Sequence, residues 1–563
     1  MKERLKIAFL AGRIDANTQD AVARVSGMEG VEIVAVLVDT ASAPMGERWR
    51  NLKRNLRREG VSYLSYRAVS AAREKLEGWA DRVIPRQEVE QILDKAFPER
   101  NLNRLAQELG FRIVEAGNLN GTAAIESLRA VQPDLGVVLG TRILKRPVFS
   151  VPRLGCINLH KGKVPEYRGM PPGFWELYDG RESAGVTVHF VDDGLDTGDV
   201  VGDSEVAIHP KETPESLKAK LDEEGVRLLG KAIEQIGCGT VARKQQPRTG
   251  ERARTRPTRA QQNELARRLS HWRRLGDGRQ AIKIAVWLAL FHSGFYSLLR
   301  RLRRGRSRGA ILLYHRVNDF SSDVLTATTR RFAEHLITLR HYYRVIPTDE
   351  LVERVASRTR IESTSVAIHF DDCYRDVRTC AAPLLAAAGM PAAAFISSGF
   401  VDTDRAFLHD QRKYPQRFPN LRTQDLRDLP ALGVAIAAHT VNHADLGAVS
   451  LEQASVEVVE SRRQLESLVG RPVLLFSFPF GKLSNIREEV RETVAAAGYT
   501  ALFSAGGGFV DPRTSVFDIP RFGVSSDHSP LALMMELEGL SLSHLGFRLR
   551  QRFRRFRRDE SSR

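Results

Sequence analysis

Along the first half of the chain, short unbroken apolar runs alternate with segments of helical periodicity. LKIAFLAG (Leu5 to Gly12) ends in glycine, a helix-like segment runs to Arg24, and VEIVAVLVD (Val31 to Asp39) is a second apolar run. Runs of this length, closed by turn residues, suit strands covered on both faces, and strand–helix–strand order implies a parallel sheet with helices on its faces. Residues 41 to 109 are rich in Arg, Glu and Leu and longer than an ordinary connection, so they read as inserted helices. Phe111 to Val114, a helix ending near Val131 and LGVVLG (Leu135 to Gly140) complete the half. No GxGxxG follows the first strand, which argues against dinucleotide binding. After Thr213, PESLKAKLDEEGVRLLGKAIEQI has helical periodicity, with Thr213 as cap and Pro214 at the first helical position.

The pattern restarts at Gly309. AILLYHRVND ends an apolar strand at His315, VAIHFDDCYRD carries Asp371 and Asp372 at a strand end, and IAAHTVNHADL presents His439 and His443. A second α/β domain is the expectation. Between the halves, residues 245 to 262 are polar, basic and punctuated by Pro and Gly, as a linker or a substrate-lining arm would be. Ile284 to Leu299 then forms sixteen residues without a formal charge, followed by an arginine cluster. A bilayer span needs about twenty apolar residues, so a helix lying in a membrane interface fits better, with a helix packed between the domains as the competing reading. The expected division is 1–245, a basic connecting segment 246–308, a second domain 309–540 and a basic tail 541–563. Within its stretch Gly546 to Glu560, Phe547, Phe553 and Phe556 lie among seven arginines.

Composition changes this picture in two respects. The 42% hydrophobic and 27% charged content excludes a disordered chain, and 563 residues exceed one core. The net charge of +17, gathered at residues 48–58, 243–308 and the tail, implies attraction to polyanions: phosphate carriers, anionic lipid or nucleic acid. Cys156, Cys238, Cys373 and Cys380 show no metal or disulfide spacing, and no secretory signal opens the chain. A cytoplasmic protein, peripheral on the inner membrane face, is the expectation.

The first chemical centre lies in the stretch 157–199. Asn158 and His160, two apart on a strand, share a face, and Asp196 follows in a Gly-Leu-Asp-Thr-Gly turn. An amide donor, an imidazole and a carboxylate are what acyl transfer to an amine requires. The run PDLGVVLGTRILKRPVFSVPRLGCINLHKGKVPEYRG, continued by GVTVHFVDDGLDTGDVV, resembles the core of the folate-dependent formyltransferases. That resemblance implies a Rossmann-like domain, catalytic roles for Asn158, His160 and Asp196, and 10-formyltetrahydrofolate as co-substrate near Leu139, Gly140, Ile143 and Asp193. It also implies acceptor contacts at Tyr167, Arg168 and Gly169, and His189 matches a histidine of some members. Lys161-Gly162-Lys163-Val164-Pro165 stands where many members have Pro-Ser-Leu-Leu-Pro. Cys156 reads as buried filler, since no base is placed for it.

In the second half, two imidazoles at HxxxH spacing plus a carboxylate can hold a divalent metal with positions left open. This half resembles the polysaccharide deacetylases, which implies a (β/α) barrel-like fold, Asp371 as general base, and Asp372, His439 and His443 as ligands of a metal such as zinc. FSFPFG (Phe476 to Gly481) resembles the groove motif. Arg521 in IPRF is assigned to substrate contact or to steadying the base. Cys373 replaces the glycine of the usual TFDDG, the customary late histidine is not evident, and His528 is its nearest candidate. His315 is left outside the metal shell.

Together these readings imply exchange of an N-acetyl for an N-formyl group on an amino sugar carried by a nucleotide or polyprenyl phosphate, with nucleic acid an unlikely partner. The alternatives are formylation of initiator methionyl-tRNA, or a membrane-bound scaffold whose second half no longer binds metal.

Overall fold

A computed structural model describes residues 4–540 except 43–44, 61, 210–211, 248–251, 270–277, 304, 320–324, 412–417, 482–484 and 527. The expected interfacial tail, 541–563, lies outside the described residues. The described chain up to Ala68, together with that from Phe97 to Leu275, forms one compact unit; Val69–Ala96 and the described chain from Gly276 onward form the other. Residues 69–96 thus cluster with the second unit rather than with the domain expected from 1 to 245. The reason is local: Val89 and Ile92 of the helix Arg86–Ala96 are buried where that helix packs on the helices Thr329–Tyr342 and Ala382–Ala388.

The first unit is built on a seven-stranded sheet of order β3-β2-β1-β4-β5-β6-β7. Its strands are β1 (Leu5–Ala11), β2 (Val31–Asp39), β3 (Arg112–Gly117), β4 (Leu135–Leu139), β5 (Cys156–His160), β6 (Ser183–Phe190) and β7 (Val200–Ala207). The first five are parallel, and β6 and β7 run antiparallel at the edge. Burial follows position: every residue of β4 is buried, whereas β7 alternates half-exposed and exposed residues after Val201. The helix Pro214–Gly237 starts where expected, with the Thr213 side chain accepting from Ser216 N–H and Pro214 in its first turn. Chain order reverses between β1 and β4, so a crevice opens at their carboxyl ends, the place where open α/β sheets bind ligands. There Gly12 N–H donates to Leu139 O at 3.0 Å, and a Cβ on Gly12 would fall 2.1 Å from Gly140 O.

The second unit carries a nearly closed parallel barrel. Its strands are β8 (Ala310–Tyr314), a small pair β9 (Arg316–Val317) and β10 (Thr326–Ala327), then β11 (Arg344–Val345), β12 (Ser365–Phe370), β13 (Ala392–Ile396), β14 (Val434–Ala438), β15 (Leu475–Ser477), β16 (Ala501–Ser504), β17 (Ile519–Pro520) and β18 (Phe522–Gly523). The order is β17-β16-β15-β14-β13-β12-β8-β18, with β11 on β12. β17 pairs with β16 while β18, one residue further on, pairs with β8. The IPRF motif is therefore the strap that joins the two sheet edges, with Arg521 at the junction. The interior is filled by Ile311, Ala367, Ala393, Phe395, Ala437 and Phe503.

The uncharged stretch 284–299 differs from its expected form. It is two helices, Gly278–His292 and Phe295–Arg303, broken at Gly294, which takes a left-handed φ of +78°. Among the described residues no helix is long and apolar enough to cross a membrane.

Candidate functional sites

β5 and β6 bring the first constellation together. Their antiparallel register sets Asn158 against His189 and His160 against Thr187. The DTG turn then returns Asp196, in a left-handed conformation (φ +54°), to the same point. A non-glycine residue with this φ is strained, and such strain collects at functional sites. Asn158 Nδ2 lies 3.2 Å from His189 Nε2 and 3.4 Å from Asp196 Oδ1; His160 Nδ1 lies 3.4 Å from Asp196 Oδ2.

Hydrogen bonds settle the His160 tautomer. Its Nε2 is 2.8 Å from Tyr167 O, an acceptor only, so Nε2 carries the hydrogen in the neutral ring and Nδ1 keeps its lone pair towards Asp196. Burial lowers the His160 pKa against the opposing pull of Asp196, which favours the neutral, proton-accepting form. For Asp196 burial acts upward, but the His189 hydrogen bond, the two imidazoles and Gly169 N–H, 3.0 Å from Oδ2, hold the carboxyl below its usual range.

The residues expected on the acceptor side also support the catalytic group. Tyr167 serves His160 through its carbonyl, while its hydroxyl bonds Asp179 (3.1 Å) and receives Arg181 Nε (2.8 Å). Gly169 serves Asp196 through its N–H, and Arg168 O accepts Arg254 N–H at 2.7 Å. Of the residues expected near the co-substrate, Leu139 is buried in the core, Gly140 turns left-handed (φ +58°), and Ile143 and Asp193 are exposed. Two described residues of the basic segment reach this region: Gln246 Nε2 donates to Asp196 O (3.2 Å) and Gly198 O (2.6 Å), and Thr255 O accepts Trp175 Nε1 (3.0 Å). Cys156 packs against Gly136, its thiol pushed up to about 12 by burial.

The second constellation stands at the carboxyl ends of the barrel strands. Asp371 and Asp372 follow β12 and His439 follows β14, while Thr440 (φ +63°) and His443 (φ +56°) turn left-handed and bring the second imidazole back. The HxxxH spacing is thus a tight loop, not a helical turn. Donor atoms of Asp372, His439 and His443 all lie within 4.8 Å of one another. His439 Nδ1 is held by Ser477 O at 2.9 Å, which leaves Nε2 towards Asp372 Oδ1 at 3.7 Å, and His443 Nε2 is 3.1 Å from that oxygen. Asp372 is buried with neither oxygen receiving a well-directed hydrogen bond among the described residues. Burial would raise its pKa, yet His443 and the other imidazoles around it hold it well below the usual carboxylate range. A buried, charged, under-satisfied carboxylate faced by two imidazoles fits a divalent metal.

Arg521 is fully buried and bidentate on Asp371, both contacts 2.7 Å. It touches the expected base, not open space, which corrects its assignment to substrate contact. Cys373 is buried and its replacement of glycine leaves the three donor sets together. The His528 ring is engaged locally: its Nδ1 accepts from Ser525 N–H at 3.3 Å.

Sequence reasoning missed His409, whose Nε2 is 3.8 Å from Asp372 Oδ2 and 2.9 Å from Tyr374 Oη. Tyr374 Oη in turn donates to Asp410 (2.6 Å), and Arg316 Nη1 holds Asp410 at 2.8 Å. No strand spacing announces this group, because His409 arrives on a short helix in a loop. A cavity of about 640 Å³ adjoins His443, lined by Phe400, Arg405, Phe407, Leu408 and Asn442 among others.

Comparison with known proteins finds one family match in each half of the chain. Residues 65–233 match the formyl transferase family model and residues 359–502 the polysaccharide deacetylase model, which is consistent with a formyltransferase-like segment joined to a deacetylase-like one. Methionyl-tRNA formyltransferase of Thermodesulfovibrio yellowstonii is 31% identical over 151 residues, 27% of this chain and 48% of that protein. The Agathobacter rectalis protein of that name is 38% identical over 133 residues, 23% of this chain and 43% of its own. The chain thus spans about half the length of the curated relatives it matches or less. The solved Streptococcus pyogenes deacetylase PplD, in complex with acetate, aligns with 41% of this chain and 98% of its own at 18% identity and a TM-score of 0.35.

Proposed function

We propose that this chain is a bifunctional enzyme of N-acyl exchange. The deacetylase domain hydrolyses the N-acetyl group of an amino sugar, and the formyltransferase domain places a formyl group from 10-formyltetrahydrofolate on an amine of that class. The supporting observation is that each unit brings its own constellation of reactive side chains together, and the two chemistries run in opposite directions on the same kind of C–N bond.

In the formyl site the acceptor amine attacks the formyl carbon while Asn158 donates to the oxygen that gains charge. His160 Nδ1 takes the amine proton, Asp196 stabilises the imidazolium that forms, and the folate nitrogen leaves with a proton. In the second site Asp371, held charged by Arg521, removes a proton from the attacking water, and that proton passes to the amine nitrogen as the C–N bond breaks and the acid is released. Asp372, His439 and His443 would hold a divalent ion such as zinc, which would supply Lewis acidity at this site. The basic composition suits a sugar on a nucleotide or polyprenyl phosphate.

The test is mass analysis of nucleotide-linked and lipid-linked acetamido and amino sugars after incubation with the protein and 10-formyltetrahydrofolate. His160→Ala should abolish formyl gain and spare acetyl loss, and Asp372→Ala the reverse. Loss of both in either variant argues against two independent sites. The names of the formyltransferase relatives raise methionyl-tRNA as a second acceptor; salt-sensitive tRNA binding with formylation of its aminoacyl group would favour it, but that reading gives the deacetylase domain no role.

A further inference from the structure

The two helices Gly278–His292 and Phe295–Arg303 each carry two apolar stripes, and the second unit needs only one of them. Ile284, Trp287 and Leu288 are buried, with the first helix packing on the helix Pro530–Leu537. Tyr296 is buried with its hydroxyl 3.1 Å from that of Tyr343, and Phe291 lies 5.5 Å from the Tyr296 ring. The opposite stripe is left in water. Ile282 and Val286 on the first helix, and Phe295, Leu298 and Leu302 on the second, are 42–68% exposed at i, i+3/i+4 and i+7 spacing. An amphipathic helix on a protein body has no use for a second apolar stripe unless something covers it.

Charge identifies the cover. Arg301 and Arg306, both exposed, flank the stripe. Arg300, Arg303 and Arg308 gather on Glu538, two residues before the end of the described chain, with Arg300 Nε at 3.6 Å and Arg308 Nη2 at 3.5 Å. From that place the chain continues into residues 541–563, which carry eight arginines against Asp559 and Glu560 and include Phe547, Phe553 and Phe556. An apolar stripe beside arginines, too short to span, fits an anionic lipid surface, where the aliphatic side chains enter the headgroup boundary and the guanidinium groups meet phosphate.

We propose that Ile282, Val286, Phe295, Leu298 and Leu302 form a docking face for an anionic phospholipid bilayer. This holds independently of which sugar the active sites use.

The test is flotation of the full-length protein with phosphatidylcholine vesicles, with and without 30% phosphatidylglycerol, at about 0.1 M salt. The expected result is binding to the anionic vesicles that Leu298→Glu/Leu302→Glu weakens at least about tenfold, with unchanged circular dichroism and unchanged metal content. A second variant, Ile282→Glu/Val286→Glu on the other helix, should weaken binding similarly. Vesicle binding by both variants equal to wild type overturns the proposal. So does a wild-type dimer that the glutamate variants dissociate without any vesicle binding, or arginine-dependent capture of RNA with no flotation.

Discussion

Arg521 and Asp371 meet as a fully buried fork: Nη1 and Nη2 each lie 2.7 Å from a different oxygen of the carboxylate. They are separated by 150 positions in sequence. The contact exists because Arg521 sits where the strap between β17 and β18 closes the barrel. Burial would push Asp371 up; the guanidinium, followed by His439, pulls it below the ordinary carboxylate range and keeps it ready to accept a proton.

Replacing Arg521 by lysine retains a charge but loses the fork. With less stabilisation of the anion the Asp371 pKa rises, and a base works only when ionised. The acid limb of the deacylation pH–rate profile should therefore move to higher pH, with kcat/KM down about 10–100-fold at neutral pH. An unmoved limb removes Asp371 from the role of base. Arg521→Met should in addition destabilise the unit by about 3–5 kcal/mol, because it strands a buried carboxylate.

Asp372 carries its charge with neither oxygen well satisfied. Asp372→Asn should abolish stoichiometric metal binding, read by elemental analysis of the purified protein. It should not lower the thermal midpoint of the metal-free protein, since a neutral amide relieves an under-satisfied buried anion. Full metal content in the variant would exclude this carboxylate as a ligand.

Gly162 lies under the His160 ring. A Cβ there would fall 2.4 Å from Tyr167 O and 2.7 Å from His160 Nε2, the two atoms whose bond sets the tautomer. Gly162→Ala should lower formyl transfer about 10²-fold, as displacements of this size do, and leave deacylation unchanged. Wild-type formyl transfer would show that the loop Lys161–Pro165 yields without moving His160.

His335 gives a pH dependence with a definite sign. It is buried between Tyr314 Oη, 2.9 Å from Nδ1, and His528 O, 2.6 Å from Nε2, and burial pushes its pKa down to about 3. The His528 carbonyl only accepts, so Nε2 donates to it, and in the neutral ring Nδ1 accepts from the Tyr314 hydroxyl. The unfolded chain binds this proton near pH 6.5 and the folded one only near 3. Its contribution is complete above about pH 6.5 and is lost as pH falls towards 3, at about 1.4 kcal/mol per unit while only the unfolded form is protonated. Denaturant titrations should show this slope flattened in His335→Gln across pH 4–6; an identical slope would place the acid sensitivity elsewhere.

Much of this protein could be read along the chain. Apolar runs identified both sheets, and Thr213 with Pro214 marked the start of a long helix. Asp371, Asp372, His439, His443, His160 and Asp196 stood at strand ends or turns, and Asn158 two residues before His160 on the same strand face, where short-range pattern places side chains. These features depend on neighbours a few residues apart, and a linear sequence displays such neighbours directly.

What closed the sites was decided elsewhere. The left-handed turns at Thr440 and His443, the His409–Tyr374–Asp410 group and the strap that delivers Arg521 all depend on packing between distant segments. So do the Tyr167 carbonyl under His160 and the Gln246 contact with Asp196. The helix break at Gly294 left one apolar stripe buried and its opposite bare. Periodicity says that a stripe exists; only the folded packing selects which stripe the body covers, because burial is a property of the partner surface as much as of the helix.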